Sequence, residues 1–129
     1  MFVTPDLAKL SLRLSVGILM LFHGIHKIMY GVSGVKALLA KAGLPEFFAY
    51  GVYVGEVIVP VFIILGLYAR VASLVLAFTM MMAMFLAFWG SFFAIGKHGA
   101  PIIEMPLLYF LLAIIMFLQG SGKFAVNNK

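Results

Sequence analysis

The sequence predicts an all-α integral membrane protein, a four-transmembrane-helix bundle with short loops, on three observations. Hydrophobic residues make up 65% of the 129 and charged residues only 10%, against about a quarter charged in an ordinary soluble domain. Mean hydropathy is +1.19. The apolar residues also fall into four stretches, separated by breaks rich in Gly, Pro and Lys. A helix crosses the hydrocarbon core in about 20 residues, so four crossings take roughly 80 and leave about 49 for turns and ends. That is too little for a separate soluble domain, and the expectation is one membrane domain over residues 1–129, with spans at about 7–30, 47–67, 71–93 and 104–119.

The first span opens after Thr4-Pro5-Asp6, a cap-like residue, a proline suited to the first helical position and an acid in the first turn. Arg13, His23, His26 and Lys27 leave an uninterrupted apolar run only over 14–22. A run of that length after a basic start resembles a signal-peptide core, but His23-Gly24-Ile25-His26-Lys27 stands where a small-residue cleavage site belongs, so the stretch is read as a span. Tyr30-Gly31-Val32-Ser33-Gly34 ends it. Residues 35–42 then suit a short amphipathic turn with Lys36 and Lys41 outward, closed by Gly43-Leu44-Pro45.

The second span carries a single acid, Glu56, and is bent by Pro60, which has no N–H to give to the carbonyl four residues earlier. That carbonyl is Glu56's own. The third span, entered at Arg70, has no charge. The fourth opens at Glu104 and Pro106 and is short, so tilt or local thinning must help it cross. The tail from Gly120 to Lys129 is polar and reads as no further element.

An even span number puts both termini on one side. Lys9, Arg13, Arg70, Lys123 and Lys129 lie with the termini and Lys27, Lys36, Lys41 and Lys97 opposite, a small excess that favours cytoplasmic termini in a plasma membrane. The net charge of +5 is spread singly along segment ends. This suits anionic headgroups and not a nucleic acid, which needs basic residues clustered on one face. With no cysteine, thiolate metal sites, iron–sulfur clusters and thiol exchange are excluded.

Small residues at helical spacing mark the packing faces. Arg13, Gly17, Met20, Gly24 and Lys27 form one stripe on the first span, Gly51 and Gly55 form a GxxxG on the second, and Thr79, Ala83 and Ala87 line the third. Met80, Met81, Met82 and Met84 read as adaptable packing.

Ionisable groups inside a span cost several kcal/mol unless paired or wetted. Glu56 is the clearest case, and antiparallel packing lets it reach Arg13 as an ion pair or His23 as a hydrogen-bonded couple. The candidate polar pocket comprises Arg13, His23, Lys27, Glu56, Glu104 and Tyr109. His23 and His26 could share a metal only if His98, Glu104 or Glu56 converged on them, and with no HExxH or ExxH spacing no metal is expected. Glu104 and Tyr109 also suit helix capping and interface anchoring. Nucleotide-binding and serine-hydrolase motifs are missing from the sequence.

Three stretches in order resemble the DoxX family of small four-helix bacterial membrane proteins. The first is Leu21-Phe22-His23-Gly24-Ile25-His26-Lys27-Ile28 after Arg13, similar to an HGxxK element. The second is Glu56 with Leu65-Gly66-Leu67-Tyr68-Ala69-Arg70. The third is Glu104-Met105-Pro106-Leu107-Leu108-Tyr109 with Gly120-Ser121-Gly122-Lys123 near the end. The matching polar positions are Arg13, His23, Lys27, Glu56, Arg70 and Glu104. Ser121, Ala125 and Asn127 depart from a Pro, Ser and Asp pattern at the end, so any role of that Asp is absent here. The lack of cysteine separates the chain from relatives linked to disulfide chemistry. The resemblance implies a bacterial inner-membrane protein whose relatives serve sulfur and oxidative-stress redox complexes, including the small subunit of thiosulfate:quinone oxidoreductase.

Three functions follow as expectations. A redox-associated membrane subunit would hold a quinone between the first, second and fourth spans by His23, Glu56 and Tyr109; with no electron carrier of its own it would depend on a redox partner and would not turn over alone. A scaffold or assembly factor would use its packing surfaces to hold a membrane-protein partner or a second copy of itself in the bilayer. A small transporter would use Glu56 as a proton site.

Overall fold

A computed structural model describes residues 5–88, 94–96 and 99–127. Among them the chain is helical: α1 Pro5–Tyr30, α2 Ser33–Lys41, α3 Glu46–Leu65, α4 Ala69–Phe88 and α5 Glu104–Gln119. α1, α3 and α4 are long and apolar enough to cross a membrane. α5 is apolar but has 16 residues, about 24 Å at 1.5 Å per residue, short of a typical hydrocarbon core. The sequence reading of four spans thus meets five helices, three of crossing length. Its extension of the third span to 93, and Thr4, Lys97, His98 and Lys129, fall outside the described residues.

α4 and α5 form the most extensive helix pair, and α1 packs on α3. Their shared core holds Val16, Met20, Val59, Ile63, Leu76, Met80, Tyr109, Ala113 and Met116. Outward faces are oily as well: Phe22, Phe62, Val71, Phe78 and Leu118 are all exposed. A soluble globule does not leave such continuous apolar cover in water, whereas acyl chains solvate it at no cost.

Glycines set how closely α1 and α3 approach. A Cβ on Gly17 would stand 2.6 Å from the Ile64 side chain, and one on Gly24 would stand 2.0 Å from the Glu56 carbonyl oxygen. On Gly55 it would meet the Thr79 side chain at 2.4 Å. The second glycine of the GxxxG thus packs on α4. The first does not: Gly51 is exposed and a Cβ there meets nothing within 4 Å, which corrects its assignment to a packing face. Gly24→Ala should therefore cost about 1–3 kcal/mol, because a backbone carbonyl yields little to overpacking, whereas Gly51→Ala should be neutral or slightly stabilising in a helix. Thermal unfolding of the two variants in one detergent checks the contrast.

α2 lies across one end of the bundle, burying Leu39 with Val32 and Ala49. Its Lys36 ammonium donates to the Tyr50 hydroxyl at 3.0 Å and sits over that ring. The hydrogen bond and the tyrosine's charge raise the Lys36 pKa above the ordinary lysine value.

At the opposite end the tail folds back on the helices. Val126 and Asn127 donate their backbone N–H groups to the carbonyls of Leu65 and Gly66, and the Lys123 N–H reaches the Asp6 carboxylate at 3.0 Å. Gly66 holds the left-handed conformation that closes α3, where a Cβ would collide with Arg13 and Ala125.

Candidate functional site

Pro60 lies within α3, four residues after Glu56. Its nitrogen cannot donate to the Glu56 carbonyl, and the stretch Val54–Ile58 takes a π-helical turn, the Val59 N–H reaching back five residues to the Val54 carbonyl. The turn carries Glu56 to the α1 side. Gly24 leaves the space for the Glu56 carbonyl, and Lys27, one turn further along α1, meets the carboxylate.

The Lys27 ammonium donates to both Glu56 carboxylate oxygens, at 2.9 and 3.0 Å. Among the described residues this is the one ion pair, with the Glu56 side chain 9% exposed and that of Lys27 27%. The Tyr53 hydroxyl donates to the Lys27 carbonyl at 3.3 Å, tying the last turns of α1 to α3.

Beside the pair lies a cavity of about 370 Å³. Its polar lining is Lys27, Glu56, His23 and Tyr109. Met20, Met80, Met105, Pro106, Ala83 and Ala87 make the apolar remainder. Tyr109 on α5 is buried, and its ring meets His23 edge-on with centroids 6.0 Å apart. His23, Ala87 and Met105 are exposed and frame the mouth. The chemistry is mixed in a useful way: N–H and O–H donors and a carboxylate acceptor stand over a thioether and aliphatic floor.

Of the six pocket candidates, four line this cavity and two do not. Arg13 lies at the other end of α1, buried, with its guanidinium donating to the Ile63 and Ile64 carbonyls at 3.2 Å each and to the Phe124 carbonyl. The expected approach of Arg13 or His23 to Glu56 is corrected to a Lys27 pair. Helix register is the reason. Gly24 against Glu56 and Gly17 against Pro60 set Arg13 level with Ile63, seven residues or about 10 Å along α3 from Glu56. Glu104 opens α5 but is exposed and does not line the cavity. His26 stacks on Tyr30 at 4.7 Å, and His98 is outside the described residues; among those described, no group of three or more His, Asp or Glu side chains could hold a metal ion. Met80 and Met84 are buried in the core, as the packing reading expects, and Met80 also lines the cavity. Sequence reasoning missed the pairing of Lys27 with Glu56; the signal was Gly24, three residues before Lys27 on the same stripe.

Apolar helices of crossing length that shelter a lysine–carboxylate pair and a buried arginine define a membrane protein with charged groups packed between its helices. Comparison places it more narrowly. A profile of the DoxX family matches residues 8–89, and the chain belongs to that family. It is 29% identical over 125 residues to a Bacillus subtilis protein named "Putative oxidoreductase CatD", covering 95% of this chain and 86% of that one. It is 31% identical over 122 residues to a Haemophilus influenzae protein named "Uncharacterized protein", covering 92% and 87%. No solved structure matches the chain at a significant level.

Proposed function

We propose that this DoxX-family protein is the membrane subunit of a redox complex and that its cavity receives the head group of a quinone. The observation that carries the reading is the convergence of Lys27, Glu56, His23 and Tyr109 on one cavity of about 370 Å³ with a methionine-rich floor. Ligand sites of roughly 300–1,000 Å³ combine an apolar lining with a few placed polar groups, and a single ring fits at the small end of that range. Quinone carbonyls accept hydrogen bonds and, on reduction, protons. The Lys27 ammonium, the Tyr109 hydroxyl and the His23 imidazole supply donors, and the Glu56 carboxylate accepts from the hydroquinone hydroxyl. The open mouth, with His23 of α1 and Met105 of α5 exposed at its rim, lets an isoprenoid tail leave between α1 and α5 into the acyl chains.

The name of the B. subtilis relative supports a redox setting. With no cysteine, the chain carries no thiol pair or cysteine-ligated cluster, and on the quinone reading a partner delivers the electrons. In this reading α5 is the fourth span, the termini are cytoplasmic in the bacterial inner membrane, and the cavity lies in the outer half of the bilayer.

Short-tailed benzoquinones and naphthoquinones should raise the unfolding temperature of the purified protein, with stabilisation growing as RT ln(1 + [L]/Kd), about 2.7 kcal/mol at a hundredfold excess over Kd. An isoprenoid alcohol of equal length should not. If no quinone shifts the transition, the reading is wrong.

A further inference from the structure

We propose that Pro60 is the positioning residue of this site: by withholding an N–H from the Glu56 carbonyl it maintains the π-helical turn that presents Glu56 to Lys27 and to the cavity. Pro60 itself lines no part of that cavity and is fully buried. Its effect is transmitted through the backbone.

The argument has three parts. An α-helix closes by an N–H to the carbonyl four residues back, and Pro60 denies that bond to one carbonyl only, Glu56's. The bond lost falls at the residue whose side chain the site needs. The helix responds by widening over Val54–Ile58, the five residues that contain Glu56. A π-turn holds one residue more than an α-turn, so closing it rotates the N-terminal part of α3 by about 100° relative to the C-terminal part. Finally, α1 is cut to fit the widened turn. A Cβ on Gly24 would stand 2.0 Å from the Glu56 carbonyl oxygen and 2.7 Å from a Val57 methyl group. Gly24 and Lys27 are thus spaced to receive the carbonyl and carboxylate of one residue, which together explain the histidine–glycine–lysine stretch as one half of a lock and Glu56 with Pro60 as the other.

Pro60→Ala supplies the missing donor and lets the turn close as an α-helix. Glu56 then swings off Lys27 while both residues remain in the chain. Because the ligand side of this inference rests on the quinone reading, the test separates the two. The chain holds no cysteine, so Lys27→Cys with Glu56→Cys can be cross-linked in native membranes by a short bis-methanethiosulfonate. The pair should cross-link readily with Pro60 present and poorly with Pro60→Ala, and also poorly with Pro60→Val, which keeps the buried volume. In the otherwise natural chain, Pro60→Ala should weaken binding of the reduced short-tailed hydroquinones about tenfold, the loss of one charged hydrogen bond to the Glu56 carboxylate. Cross-linking that is unchanged in both Pro60 variants overturns the inference whatever quinones do. Cross-linking that is lost while the natural chain binds no quinone upholds the positioning role and removes the quinone reading.

Discussion

Glu56→Ala should destabilise the protein by about 2 kcal/mol and, on the quinone reading, abolish retention of the reduced form, whose hydroxyl loses its carboxylate acceptor. Removing one partner of a buried ion pair costs about 3–5 kcal/mol, because the other charge is left without a counter-ion. Lys27 is near the end of α1 and a quarter exposed, so its ammonium can swing toward the interface and recover part of that loss. Lys27→Met with Glu56→Met removes both charges and keeps the volume; it should restore stability to near that of the natural chain and leave quinone binding lost. Unfolding measured in detergent for the single and double variants gives the coupling, and mass spectrometry of co-purified quinones gives the function. A double variant that still retains quinone would mean that the pair only fixes helix register. A single variant as stable as the natural chain would mean that the pair is not formed.

The stripe of Arg13, Gly17, Met20, Gly24 and Lys27 was legible because helical spacing and residue size alone select a face, and the buried residues of α1 are Arg13, Val16, Gly17, Met20 and Gly24. The special status of the Glu56 carbonyl was legible too, since proline's missing donor is a covalent fact. The register between α1 and α3 was not. Antiparallel packing alone leaves both Arg13 and His23 within reach of Glu56, but the real register is set where two glycines meet two carbonyls, a property of the pair of helices and not of either one. The GxxxG misled for a similar reason: Gly51 lies on an exposed part of α3, where a Cβ would meet nothing within 4 Å. The tail's return to α3 was hidden because its bonds are mostly backbone bonds, which composition does not encode. Asn127 shows this best. Its side-chain oxygen accepts the Tyr68 N–H at 3.0 Å, so the amide performs the acceptor's part at a position where the resemblance led one to expect a carboxylate. Tyr68 has a φ of 49°, and that bond helps hold its left-handed backbone.

The same end of the molecule carries the second large effect. Arg13→Met should cost about 3 kcal/mol and free the tail, and Arg13→Lys should recover less than half of the loss. A charged donor contributes about 1.5–3 kcal/mol per hydrogen bond when its acceptor is otherwise buried, and Arg13 bridges three carbonyls from two segments: Ile63 and Ile64 at the end of α3 and Phe124 in the tail. The first two are last-turn carbonyls, where the helix dipole adds to the attraction for a cation. The Ile63 carbonyl also accepts the Gly66 N–H at 3.2 Å, and the Arg13 Nε has no partner, so the net effect is below three full bonds. Lysine offers a point charge without the planar fork and cannot span carbonyls on both segments. With the Phe124 contact gone, the tail keeps only its bonds to Asp6 and to the end of α3 and opens more often. Trypsin should then cut after Lys123 faster in Arg13→Met than in the natural chain, at a protease level that leaves the helices intact, and faster in Arg13→Lys than in the natural chain by a smaller factor. Equal cleavage in all three proteins would show that Arg13 holds α3 alone, and a lysine variant as protected as the natural chain would show that charge, not geometry, closes this end.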